Sequence, residues 1–167
     1  NNNQLKMGKT ELNGNKHEVS DYDGTQETIE IKEPKQSVYI LNCKNGVVTI
    51  KGKCSAVTVD NCTKMGIIFD DVVATVDVVN SNSCQLQANG SVPNMSIDGT
   101  AGCIVYVQTE AGEAVEIVTS SSTEVNVVRP GKNPETDDPT EYPIPHQFIS
   151  KFTDGKLTTT AVEHIGV

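Results

Sequence analysis

The chain has 167 residues and a net charge of −9. Such a length supports one domain with its own core, and the charge excludes nucleic acid or an anionic membrane as the main partner. Trp is absent and Phe occurs 3 times, whereas Val, Ile and Thr abound. The core is therefore β-branched, and an all-β fold is expected.

In chain order, residues 1–27 are rich in Asn, Gly and Lys and carry no repeat, so they read as an N-terminal extension and cap. They lack the apolar stretch of a signal peptide. The chain also has no apolar run of the roughly 18 residues a spanning helix needs, so membrane insertion is not expected.

Residues 28–130 carry a repeat, read as the core. One register of apolar-x-apolar units runs through Val38-Tyr39-Ile40, Val57-Thr58-Val59, Val76-Asp77-Val78, Met95-Ser96-Ile97 and Val115-Glu116-Ile117. A second runs through Val48-Thr49-Ile50, Ile67-Ile68-Phe69, Leu86-Gln87-Ala88, Val105-Tyr106-Val107 and Val125-Asn126-Val127. Both step by 19, 19, 19 and 20 residues. Asn42, Asn61, Asn80, Gly99 and Thr119 follow as a corner column, and Cys43, Cys62, Ser81, Thr100 and Ser120 as a column of small side chains.

Such a period predicts a right-handed parallel β-helix of about six coils, with two short strands per coil and an earlier, weaker turn near Ile29 and Ile31. The flanking residues of each unit point inward and the middle one outward. Five cysteines (Cys43, Cys54, Cys62, Cys84, Cys103) form no CxxC pair. They read as reduced, buried thiols, with no metal site and no cofactor expected.

After Arg129-Pro130-Gly131 the segment 131–145 reads as a proline-rich, acidic connector. Residues 146–167 follow as a hairpin segment, with His146–Phe152 and Lys156–Glu163 flanking Thr153-Asp154-Gly155, a strong turn signal.

Several runs resemble the C-terminal (CARP) domain of the cyclase-associated proteins. They are Val57-Thr58-Val59-Asp60-Asn61-Cys62, Met65 to Val73, Asn94-Met95-Ser96-Ile97-Asp98, Ser122 to Val127, and Glu141-Tyr142-Pro143-Ile144-Pro145-His146-Gln147-Phe148. The likeness covers about residues 12 to 163 and departs at His17, where the family commonly places Trp. It implies a cytoplasmic, cytoskeleton-associated and non-enzymatic domain. Such a domain binds monomeric actin, prefers the ADP form and promotes exchange of ADP for ATP. It also implies a homodimer formed by exchange of C-terminal hairpins, placing Phe148, Ile149, Phe152, Leu157, Thr159 and Val162 in the dimer contact. Association with adenylate cyclase is not carried over.

Of the two outward columns, Thr49, Ile68, Gln87, Tyr106 and Asn126 suit a partner better than Tyr39, Thr58, Asp77, Ser96 and Glu116, because Ile68 and Tyr106 offer anchors. The corners add Lys51 and Lys53, then Asp70 and Asp71 one coil later, a two-signed patch able to orient a partner. By resemblance, Lys51, Lys53, Asp70, Asp71, Glu124 and Asn126 are the expected actin contacts. Two alternatives are a tubulin-cofactor-C-like GTPase regulator, for which Arg129 is the sole arginine, and a purely dimerising scaffold. A polysaccharide-cleaving β-helix would have only Asp77 and Glu116 as outward acids at strand centres.

Overall fold

The computed structural model describes residues 7–163; residues 1–6 of the expected cap and 164–167 of the expected hairpin segment lie outside the described residues. Among the described residues, sixteen strands and one short 3-10 turn make up the fold. In chain order the strands are β1 (Lys9–Asn13), β2 (Lys16–Ser20), β3 (Gln26–Glu30), β4 (Ser37–Leu41), β5 (Lys44–Lys51) and β6 (Cys54–Asp60). Next come β7 (Thr63–Phe69), β8 (Val72–Val79), β9 (Asn82–Ala88), β10 (Asn94–Asp98) and β11 (Ala101–Val107). The last are β12 (Glu116–Ser120), β13 (Thr123–Arg129), β14 (Thr140–Pro143), β15 (Phe148–Thr153) and β16 (Lys156–Ala161).

The even strands β2 to β12 stack in parallel as one wall, and the odd strands β3 to β13 stack as the other. Each adjacent pair is one coil, so six coils form a parallel β-helix. Stacking supplies the core that no coil could bury alone. On wall 1, Val38, Val57, Val76 and Met95 lie over one another, as do Ile40, Val59, Val78 and Ile97. Wall 2 answers with Val48, Ile67, Leu86 and Val105, and all of these side chains are buried. Each removed Val or Ile surface is worth about 1.5–3 kcal/mol.

Two columns of left-handed residues turn the chain from wall 1 to wall 2. The first is Asp21, Asn42, Asn61, Asn80, Gly99 and Ser121, and the second Gly24, Asn45, Lys64, Ser83, Gly102 and Glu124. Asn and Gly adopt this conformation most readily. In the first column Asn61 Nδ2 donates to Asn42 Oδ1 at 2.7 Å, tying one coil to the next.

The register departs from the 19-residue reading at both ends. Met95 pairs with Ile117 and Val105 with Val127, both 22 positions on, not with Val115 and Val125. The extra length lies in the corner after β11, which holds the 3-10 turn Ala111–Ala114. The corner columns therefore end at Ser121 and Ser122, not at Thr119 and Ser120. At the start, β2 and β3 form a first coil 21 residues ahead of the second, so the ladder reaches back beyond position 28.

Each end of the helix has one covered wall. Antiparallel β1 closes β2 at the start, and antiparallel β14, from within the 131–145 segment, closes β13 at the finish. Among the described residues, the outer edges of β3 and β12 carry no strand. The hairpin of β15 and β16 forms a separate sheet, turning at Asp154 and Gly155, both with positive φ.

Candidate protein-binding surface

Outward residues make the two walls chemically different. Wall 1 presents Glu18, Tyr39, Thr58, Asp77, Ser96 and Val118 in one column, flanked by Asp60, Asp98 and Glu116. Its hydroxyl and carboxylate groups bond to each other: Tyr39 donates to Asp60 at 2.7 Å, and this bond, with burial second, raises the Tyr39 pKa. Thr75 donates to Asp77 at 2.9 Å. Glu116 lies beside Asn94, one column away from Asp77, so the two acids do not share a line.

Wall 2 is uncharged at its centre. One column is Thr28, Thr49, Ile68, Gln87, Tyr106 and Val128, and its neighbour is Gln26, Val47, Gly66, Gln85, Ile104 and Asn126. Asn126 thus lies over Ile104, and Val128 takes the expected place over Tyr106. Where Gly66 offers no side chain, Val47, Ile68, Gln85, Gln87 and Tyr106 surround a groove of about 220 Å³. Sequence reasoning followed only the middle residue of each apolar-x-apolar unit and missed the Val47–Gly66–Gln85–Ile104 column. The same 19-residue step marks it.

The expected contact residues fall into two groups. Lys51 and Lys53 flank Gly52 at a wall 2 to wall 1 corner; both are exposed, with no ion-pairing carboxylate among the described residues. Asp70 and Asp71 are tied into the corner ladder. Asp70 Oδ2 accepts the Gly52 N–H at 2.8 Å, while Asp71 Oδ1 accepts the Ser91 N–H at 2.8 Å and the Ser91 hydroxyl at 3.3 Å. Glu124 and Asn126 belong to the sixth coil instead. They line a cleft of about 460 Å³ with Pro143, Ile144, Pro145, His146 and Glu163, where the chain leaves the helix. Three to four coils, about 14–19 Å by strand spacing, separate the groups along the axis.

Arg129 is engaged at the end of wall 2, where it donates to the Tyr142 hydroxyl at 2.9 Å and pairs with Glu113 at 3.7 Å. That geometry is a brace between β13, the capping strand and the corner turn.

The hairpin is amphipathic. Phe148, Ser150 and Phe152 face the same side as their partners Ala161, Thr159 and Leu157, while Ile149 lies on the opposite side. Phe148, Phe152 and Leu157 are 63%, 78% and 62% exposed. Val162 follows β16 and donates its N–H to Gln147 O at 2.9 Å. Four of the six expected dimer residues thus share a face, and Ile149 and Val162 do not.

All five cysteines are free and buried. Burial pushes Cys54 up to about 11 and Cys103 to about 12. The hydrogen-bonded pairing of the Cys43 and Cys62 thiols lowers the Cys43 pKa and raises that of Cys62. Among the described residues no group of His, Cys, Asp or Glu is arranged to hold a metal, and no helix is long and apolar enough to cross a membrane.

Residues 6–164 match the family model described as adenylate cyclase associated (CAP) C terminal. Similar proteins include cyclase-associated protein 1 of Arabidopsis thaliana, 44% identical over 80% of this chain and 28% of its own length. Adenylyl cyclase-associated protein of Dictyostelium discoideum is 41% identical over 92% of this chain and 33% of its length. Human adenylyl cyclase-associated protein 1 is 41% identical over 93% and 32%. The chain therefore spans about a third of the length of these relatives. The crystal structure of cyclase-associated protein from Cryptosporidium parvum superposes with a TM-score of 0.84 at 26% identity, covering 92% of this chain and 94% of that one.

Proposed function

The chain belongs to the family of cyclase-associated protein C-terminal domains, and from that membership we propose that it binds monomeric actin, prefers the ADP form and promotes nucleotide exchange. The observation that carries this reading is the uncharged centre of the outer face of wall 2, set in a chain of net charge −9. Ile68 and Tyr106 supply apolar and aromatic anchors there, the kind of group that dominates protein interfaces. Lys51 and Lys53 stand at its margin and orient the partner by charge. Glu124 and Asn126 engage at the far end.

The mechanism is linkage, with no covalent step on this chain. A domain that binds the nucleotide-loosened form of actin more tightly than the closed form shifts the population toward it, and nucleotide escapes faster. Cytoplasmic action beside the cytoskeleton follows from the same reading.

The working unit is a dimer that exchanges its C-terminal hairpins. The exposed apolar face of Phe148, Phe152 and Leu157 supports this, because an isolated two-stranded hairpin is marginal in water. The open outer edge of β12 offers a place for a partner's hairpin. To test the proposal, actin monomers carrying a fluorescent nucleotide are mixed with saturating domain. Release is expected to accelerate, and an unchanged rate refutes the exchange activity.

A further inference from the structure

We propose that the groove over Gly66 receives a single uncharged, apolar side chain of the actin monomer and is the binding hot spot of wall 2. The inference rests on the reading that actin docks on that wall.

The first argument is that the fold does not require glycine at this position. Gly66 lies within β7 without a positive φ, and a Cβ built on it would meet Val47 Cγ2 at 3.5 Å as its nearest neighbour, an ordinary contact. Other glycines are forced. A Cβ at Gly46 would clash with the Thr25 backbone and one at Gly90 with Asp71, and Gly99 and Gly102 have positive φ. Glycine weakens a strand interior and often marks a bulge, a bend or the close approach of a ligand or another chain. Gly66 keeps unshifted register with Val47 and Gln85, so no bulge accounts for it.

The second argument is the lining. Val47 lies one coil before Gly66 in its column and Ile68 beside it, with Gln85, Gln87 and Tyr106 completing the rim. The groove of about 220 Å³ has room for one large side chain. Gln87 is held in place, its Nε2 donating to Asn89 Oδ1 at 2.9 Å. No charged residue lines the groove, so a charged occupant would lose hydration without compensation. An apolar one fits, with the Gln85 amide and the Gln87 side-chain oxygen left to meet partner backbone at the rim. Wall 1, with Glu18, Asp60, Asp77, Asp98 and Glu116 outward, offers no equivalent seat.

The test compares wild type, Gly66→Val, Gly66→Ala and Tyr106→Asp in equilibrium titrations with ADP-actin monomers, each variant first checked by urea unfolding. Gly66→Val fills the groove on a backbone that accepts it. It is expected to keep or raise the urea midpoint while raising Kd at least tenfold, with Gly66→Ala intermediate. Should Gly66→Val prove unfolded, Gly66→Ala decides alone through a rise in Kd of about threefold or more. Binding by the folded filled variant within twofold of wild type, alongside a tenfold loss for Tyr106→Asp, overturns the groove and leaves the wall standing. If neither filled groove nor Tyr106→Asp weakens binding, or wild type does not bind, wall and groove fall together.

Discussion

Asp71 and Ser91 are joined across successive coils, the Asp71 carboxylate accepting the Ser91 N–H at 2.8 Å and its hydroxyl at 3.3 Å. Together with the Asp70–Gly52 bond at 2.8 Å, this makes the acidic half of the corner patch a structural latch. Asp71→Ala is expected to lower stability by about 0.5–1.5 kcal/mol, the range for an ordinary hydrogen bond, because Asp71 is exposed and water compensates part of the loss. Urea denaturation measures it. A loss of actin binding in this variant has to be read against that loss of fold.

The lysines separate the two effects. Lys51→Glu with Lys53→Glu changes exposed groups that have no ion pair among the described residues. Stability is expected to stay within about 0.5 kcal/mol of wild type. Actin affinity is expected to fall about tenfold at low ionic strength and less at high salt, since exposed charges are screened. Titration at two salt concentrations checks both halves.

Replacing Phe148, Phe152 and Leu157 with Asp removes the apolar face of the hairpin. The expected result is a monomer by sedimentation equilibrium, with the six coils unfolding at an unchanged urea midpoint when compared at equal low concentration. A dimer of normal strength sinks hairpin exchange.

Glu27 occupies an inward position beneath Val48 and Ile67, at the open edge of β3. Inward charges on edges block unwanted strand pairing. Glu27→Val is expected to make the protein associate beyond the wild-type size as concentration rises, seen by light scattering.

The pKa values of Cys54 and Cys103 are raised by burial to about 11 and about 12, from an ordinary 9.0. The folded state therefore holds the neutral thiols more tightly than the unfolded state does. Their contribution is complete below pH 9 and is lost as pH rises through 11 to 12. Wild type is expected to lose urea resistance more steeply above pH 9 than Cys54→Ala/Cys103→Ala, and parallel curves speak against it.

The misplaced register at the last coil shows where pattern reading stops. Placing Val115 or Ile117 over Met95 differs by two residues, and a two-residue slip leaves every side chain on the same face. Inward and outward alternation is satisfied both ways, so only the length of the 108–115 corner selects the answer. The first coil was legible only as a weaker turn near Ile29, for a related reason. Its spacing is 21 residues, and His17 and Glu27 stand where later coils carry Val.

What the order of residues alone determined is the stacked architecture, the inward Val and Ile columns and the Asp-Gly hairpin turn. The first two are written in spacings of 2 or 19 that backbone geometry translates directly, and the third in an adjacent pair that accepts positive φ. Tertiary structure alone decided which candidate residues stand together. It locked Asp70 and Asp71 into the corner, sent Glu124 and Asn126 to a cleft several coils away, and exposed the hollow at Gly66. A surface is made from neighbours on different coils, and their adjacency depends on corner lengths that no local pattern encodes.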